Sequence, residues 1–138
     1  VWHPNRGMEY YYKMCEQYKY VGIGTTKASP IEFNVYRRHP EVMIKMLDIA
    51  HRNNAKMHGF GYTDTEKFDI VRFDSVDSTT WNSGTRFGEL HYFNGKYIAK
   101  KRSVENKVKT KRLSNPREAN VVNFKEWTKF QQYALTNL

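Results

Sequence analysis

Asp74 and Asp77 stand three residues apart in Val71-Arg72-Phe73-Asp74-Ser75-Val76-Asp77-Ser78, a stretch rich in small and β-branched residues that reads as a strand. A carboxylate at a strand end serves as a covalent nucleophile or a general base, or simply caps the next turn. Alternate residues of a strand face opposite sides, so at most one of the two points into a given site. His58 lies in Lys56-Met57-His58-Gly59-Phe60-Gly61, where its ring either packs and hydrogen-bonds or stacks on a flat ligand. Tyr20-Val21-Gly22-Ile23-Gly24-Thr25 repeats that glycine-ended design. Two such ends would present backbone N–H and C=O groups to a planar molecule, with no side chain blocking the approach.

Other chemistry is excluded by missing patterns. Neither glycine strand carries the six-residue dinucleotide fingerprint, and no Gly-Lys-Ser/Thr phosphate loop occurs, so no nucleotide cofactor is expected. His39, His51 and His91 show no ligand spacing, and the single cysteine, Cys15, rules out a disulfide and a cysteine-cluster zinc site. No metal is expected, and the default compartment is a reducing one.

Positive charge is concentrated late in the chain. Between Lys100 and Arg117, Lys100, Lys101, Arg102, Lys107, Lys109, Lys111, Arg112 and Arg117 face one acid, Glu105. Such clustering attracts a phosphate backbone by counterion release, although a solvated charged loop has the same composition. No apolar face accompanies the run, which argues against a membrane surface.

The elements that must position these groups follow from periodicity. Met8, Tyr11, Tyr12, Cys15 and Tyr18 recur at spacings of three and four, predicting a helix over about Arg6–Gln17. A second helix is predicted from Pro40 to about Asn53-Asn54, with Val42, Met46, Ile49 and Ala50 on its buried face. Thr63-Asp64-Thr65-Glu66 reads as a capping box opening a short helix. Strands and helices thus alternate over short connections, which predicts parallel βαβ units whose carboxyl ends gather the ligand. Glu89–Phe93 and Lys96–Ala99 read as an antiparallel hairpin joined by an Asn94-Gly95 type I′ turn. A last helix is predicted from near Asn123, capped through Glu126 and burying Phe124, Trp127, Phe130 or Gln131, and Ala134. Trp81 reads as a packing residue.

The 138 residues suffice for one ordinary domain with its own core. A net charge of +9 with 15% aromatic residues does not suit a disordered chain. Apolar runs fall far short of the ~20 residues of a membrane span, and a soluble, unexported protein is expected. The chain opens Val1-Trp2-His3 without an initiator Met and is expected to be a fragment or processed product.

In order, Val21-Gly22-Ile23-Gly24, Met57-His58-Gly59-Phe60-Gly61 and Phe73-Asp74-Ser75-Val76-Asp77-Ser78-Thr79-Thr80-Trp81 resemble the carboxyl half of the tRNA-guanine transglycosylase superfamily. The likeness is nearest to phage members thought to insert 7-deazaguanines into DNA, and it runs from about Tyr20 to Phe93. It implies a TIM barrel and an exchange of guanine for a 7-deazaguanine through a covalent Asp–ribose bond. Gly22, Ile23, Gly24, Gly59, Phe60 and Gly61 would then hold the base, with His58 against its face. Asp77, 16 residues beyond Gly61, fits the family's spacing for the nucleophile, whereas Phe73-Asp74-Ser75-Val76 looks more like its local motif. Asp77 is favoured and Asp74 is the alternative. Arg86, in Asn82-Ser83-Gly84-Thr85-Arg86-Phe87-Gly88, would contact phosphate.

The chain departs from the family in three ways. Cys15 alone cannot make the family's carboxyl-terminal zinc site. A full (β/α)₈ barrel takes roughly 250 residues. The aspartates that read the base come from earlier strands, which this chain lacks. The fold expected is α/β: a partial TIM barrel of the last three or so βα units with a hairpin over residues 1–99, then a basic segment and helix over 100–138. A second chain would supply the rest of the barrel. The function expected is base exchange on nucleic acid, DNA ahead of tRNA, in the cytoplasm of a bacterial or phage-infected cell. The alternative is a non-catalytic nucleic-acid-binding module working through the hairpin and Lys100–Arg117.

Overall fold

A computed structural model describes residues 1–24, 39–82, 89–101 and 116–138, of which the side chains of Lys101 and Pro116 are not described. The chain forms two compact units, Val1–Ser78 and Thr79–Leu138. The hairpin therefore belongs with the carboxyl-terminal helix, and the division falls earlier than the expected one at residue 99.

In the first unit, α1 (Gly7–Gln17) leads into β1 (Tyr20–Gly24), α2 (Pro40–Arg52) into β2 (Lys56–Phe60), and β3 is the short Ser75–Val76. The three strands make one sheet in the order β1-β2-β3, and both pairings are parallel, as the alternation of helix and strand predicts. Register places Gly22 beside His58 and His58 beside Ser75. Trp2 extends the sheet at the β1 edge, its N–H donating to Gly22 O at 2.7 Å and its carbonyl accepting from Gly24 N at 2.9 Å.

Both helices cover the same face of this sheet. Tyr11, Met14 and Cys15 of α1 and Met43, Met46, Leu47 and Ala50 of α2 bury against Val21, Ile23 and Met57. Tyr12 and Tyr18, expected on the α1 stripe, are exposed. Met14 takes the place assigned to them, because Tyr18 lies past the helix end in extended backbone. Asn54 closes α2 with φ 56°, a left-handed conformation that Asn tolerates. The expected helix at Thr63–Glu66 is only a 3-10 turn over Thr65–Lys67, without a side-chain cap on Asp64. The expected strand Val71–Ser78 pairs only at Ser75–Val76, because Val71 and Phe73 are held in tight turns: Val71 N donates to Lys67 O and Phe73 N to Val71 O.

The second unit pairs β4 (Leu90–Phe93) with β5 (Ile98–Lys101) antiparallel and packs α3 (Pro116–Asn137) on them. The connection is a four-residue turn with Gly95-Lys96 at its centre, not Asn94-Gly95. Asn94 opens it, and its Oδ1 accepts the N–H groups of Lys96 and Tyr97, both at 2.9 Å. The helix begins seven residues ahead of Asn123, where the predicted cap stood. Asn123 is instead buried mid-helix, accepting His91 N–H at 2.7 Å and donating to Glu89 O at 3.1 Å. Glu126 accepts Phe93 N–H at 2.8 Å. Two side chains one helical turn apart thus satisfy alternate amides of β4, which covers that strand edge. Ala119 and Phe130 are buried, whereas Phe124 is 56% exposed, its ring edge against Trp81.

Candidate functional site

The sheet face opposite the helices carries Tyr20, Gly22 and Gly24 from β1 and Lys56, His58 and Phe60 from β2, because these positions alternate with the buried Val21, Ile23, Met57 and Gly59. From β3 it receives Ser75. Asp77, two residues on, lies on the same side at the carboxyl end of the strands. Its Oδ1 accepts Gly61 N–H at 2.6 Å and stands 3.7 Å from His58 Nε2. Gly61 can offer that N–H because its φ of 63° is open to glycine. The other edge of the imidazole is held as well: His58 Nδ1 and Ser75 Oγ are 2.6 Å apart, and Ser75 Oγ also bonds Tyr20 OH. The Phe60 ring meets the His58 ring edge-on at 4.4 Å.

Asp74 occupies a different environment. It sits at the amino end of β3, where its Oδ2 accepts Met57 N–H at 2.7 Å and faces His51 Nε2, near the end of α2, at 2.9 Å. Partial burial raises its pKa, but the bonds from His51 and Met57 outweigh that and hold the carboxyl below the ordinary aspartate value. Its side chain is 25% exposed against 60% for Asp77. Asp74 therefore joins α2, β2 and β3, and Asp77 presents its carboxylate to solvent.

The glycines do not leave open backbone. A Cβ on Gly22 would run into the Phe60 ring, and one on Gly24 into the His3 ring. A Cβ on Gly59 would lie 3.2 Å from three carbons of Phe73, on the helix side of the sheet. The chain's own rings fill the approaches expected for a flat ligand, because strand neighbours in a parallel sheet stand close enough for a large side chain to cover an adjacent glycine. Ile23 and Gly59, expected at the base, are directed into the core. What the open face offers a planar ligand is aromatic: Tyr20 and Phe60 flank His58, and His58 stands beside the Asp77 carboxylate.

Tyr20, Ser75 and His51 are the site neighbours that sequence reasoning passed over. A signal existed for Ser75, since alternation puts it on the same face as Asp77. Arg86, Arg102, Lys107, Lys109, Lys111 and Arg112 lie outside the described residues. Lys100 pairs with Glu89 at 3.3 Å, and Lys101 closes β5. Among the described residues, no group of three or more His, Cys, Asp or Glu is placed to hold a metal, and no helix is long and apolar enough to cross a membrane. No family model, curated protein or solved structure matches the chain.

Proposed function

We propose that Val1–Ser78 is part of the catalytic barrel of a guanine transglycosylase, a pentosyltransferase that exchanges guanine in nucleic acid, DNA ahead of tRNA, for a 7-deazaguanine. One observation carries this reading. Parallel pairing brings Asp77 to the carboxyl ends of the strands, on the face away from the helices and beside His58. In a closed α/β barrel helices cover the outside and ligands meet the strands' carboxyl ends, and the surroundings of Asp77 correspond to that end.

The chemistry follows from the groups present. The Asp77 carboxylate attacks C1′ of the nucleotide, the C1′–N9 bond breaks, and its electron pair leaves with guanine. The incoming base attacks C1′, the C1′–O bond breaks, and the carboxylate is restored with net retention. The Gly61 N–H anchors Oδ1, and no hydrogen bond to Oδ2 forms among the described residues, so one oxygen orients the group while the other is available to react. The base must be flipped or unpaired to lie against Tyr20, His58 and Phe60. Asp74, bonded to Met57 N–H and His51, serves the fold.

The test is release of labelled guanine from single-stranded DNA by the intact protein, with and without added 7-deazaguanine. Release that requires the added base is expected. A protein that binds the oligonucleotide but releases no guanine would be the binding module instead.

A further inference from the structure

We propose that His58, held by Ser75 and Tyr20, handles the proton of the exchanged base; the proposal rests on the transglycosylase reading and adds to it a proton-transfer group. Base exchange moves one proton in each half. Departing guanine takes one up as the C1′–N9 pair leaves with it, and the incoming 7-deazaguanine gives up its N9 proton as it bonds to C1′ and Asp77 departs as a carboxylate. A single group that donates in the first half and accepts in the second closes the balance without any other reactant. Imidazole suits that work near neutral pH.

The geometry defines which nitrogen does it. His58 Nδ1–H donating to Ser75 Oγ, and Ser75 donating to Tyr20 OH, keeps Nδ1 protonated in both states of the ring. Nε2 therefore carries the exchanged proton: N–H in the imidazolium that protonates departing guanine, a lone pair in the neutral ring that accepts from the incoming base. In the imidazolium, Nε2–H faces the Asp77 carboxylate, whose charge favours the protonated ring that the first half needs. At 3.7 Å from Oδ1 this nitrogen is beyond hydrogen-bond length, so its proton is not committed to the nucleophile. A base joined to the carbon that Asp77 attacks comes within its reach. The edge-on Phe60 ring limits rotation of the imidazole. The charged and titratable groups on this face are Tyr20 from β1, Lys56 two residues back on β2, Asp77 beyond β3, and His3 of the amino-terminal segment, whose ring lies over Gly24. His58 is the catalytic residue in this scheme, and Ser75 and Tyr20 are positioning residues.

The experiment measures the rate of the covalent adduct between the intact protein and single-stranded DNA across pH. The target is guanine or 8-azaguanine, whose more stable anion needs less help from an acid. His58→Gln should slow the adduct on guanine by about 10²–10⁴-fold. It should also lose the pH dependence near neutrality and lose far less on 8-azaguanine. Ser75→Ala and Tyr20→Phe should keep the adduct and move the neutral-pH limb. Equal losses on both bases with an unchanged pH profile, or no loss at all, would overturn the proposal and leave His58 a stacking group. Wild-type protein that forms no adduct dependent on Asp77 would remove the base-exchange reading and this one with it. An adduct that needs Asp77 and ignores His58 removes only this one.

Discussion

Asp77 Oδ1 accepts the amide of Gly61 at 2.6 Å across the ends of β3 and β2, while Oδ2 has no hydrogen bond among the described residues. A carboxylate tethered through one oxygen keeps its orientation and remains available for chemistry. The Asp74 carboxylate, bonded to Met57 N–H and His51, has a partner set that ties β2 to α2.

The first prediction separates these two roles. Asp77→Asn should abolish the covalent adduct with guanine-containing DNA and leave the urea midpoint close to wild type. Asp74→Asn should still form adduct. Asp74→Ala leaves the Met57 amide without its acceptor and should cost about 1–3 kcal/mol in urea denaturation. An adduct lost in Asp74→Asn but retained in Asp77→Asn would exchange the assignments.

Acid sensitivity follows from the same aspartate. Asp74 is depressed in the folded state, so between its folded and unfolded pKa values the unfolded chain binds the extra proton. Its stabilising contribution is complete above the ordinary aspartate value and is lost as pH falls through the lower folded one. Asp74→Ala should therefore show a shallower loss of stability at acid pH than wild type. Parallel curves from denaturant titrations across that range would count against this contribution.

In the second unit, His91 is buried and accepts Trp127 Nε1–H on Nδ1 at 2.9 Å, while Nε2 has no hydrogen bond among the described residues and faces Glu89 Oε2 at 3.9 Å. Burial, then the nearby Lys100 charge, lowers its pKa below the ordinary 6.5. The neutral ring is the folded form. The resulting stability is present above 6.5 and declines as pH falls from there toward the depressed folded value, where the unfolded chain takes the proton. His91→Phe should remove that decline and strand the Trp127 N–H, at a cost of about 1–3 kcal/mol at neutral pH. Thermal melts at several pH values check both parts.

Gly59→Ala should destabilise through overpacking against Phe73 by about 1–3 kcal/mol. Phe73→Leu should relieve part of that loss in the double variant, since the two positions are in contact. Additive losses would mean that the Phe73 ring is not the obstacle.

The basic segment is predicted from its composition. Replacing Lys107, Lys109, Lys111 and Arg112 with Gln should weaken binding to all DNA sequences alike and flatten the slope of log affinity against log salt by up to about 0.9 per lost contact. A Lys-rich run reads phosphate and not base edges. Salt titrations on random and guanine-rich DNA with equal slopes and affinities for both proteins would make the segment a solvated surface.

Local repetition made α1, α2, the two glycine-ended strands and the hairpin legible from the chain, because a helix stripe or a strand alternation is written within a few consecutive residues. The family resemblance favoured Asp77 over Asp74 through its distance from Gly61, and Asp77 is the one that lies beside His58. Contacts between distant residues had no such trace. Ser75 meets His58 across 17 residues and Tyr20 across 55, so the support of the imidazole exists only once three strands pair in register. The rings over Gly22, Gly24 and Gly59 are of the same kind: a glycine's freedom is local, but the side chain that fills the space above it comes from another segment of the chain. Asn123 and Glu126 show the strongest tertiary override. Their types and spacing suit a helix cap, yet β4 has backbone amides to satisfy, and those bonds hold both residues in mid-helix.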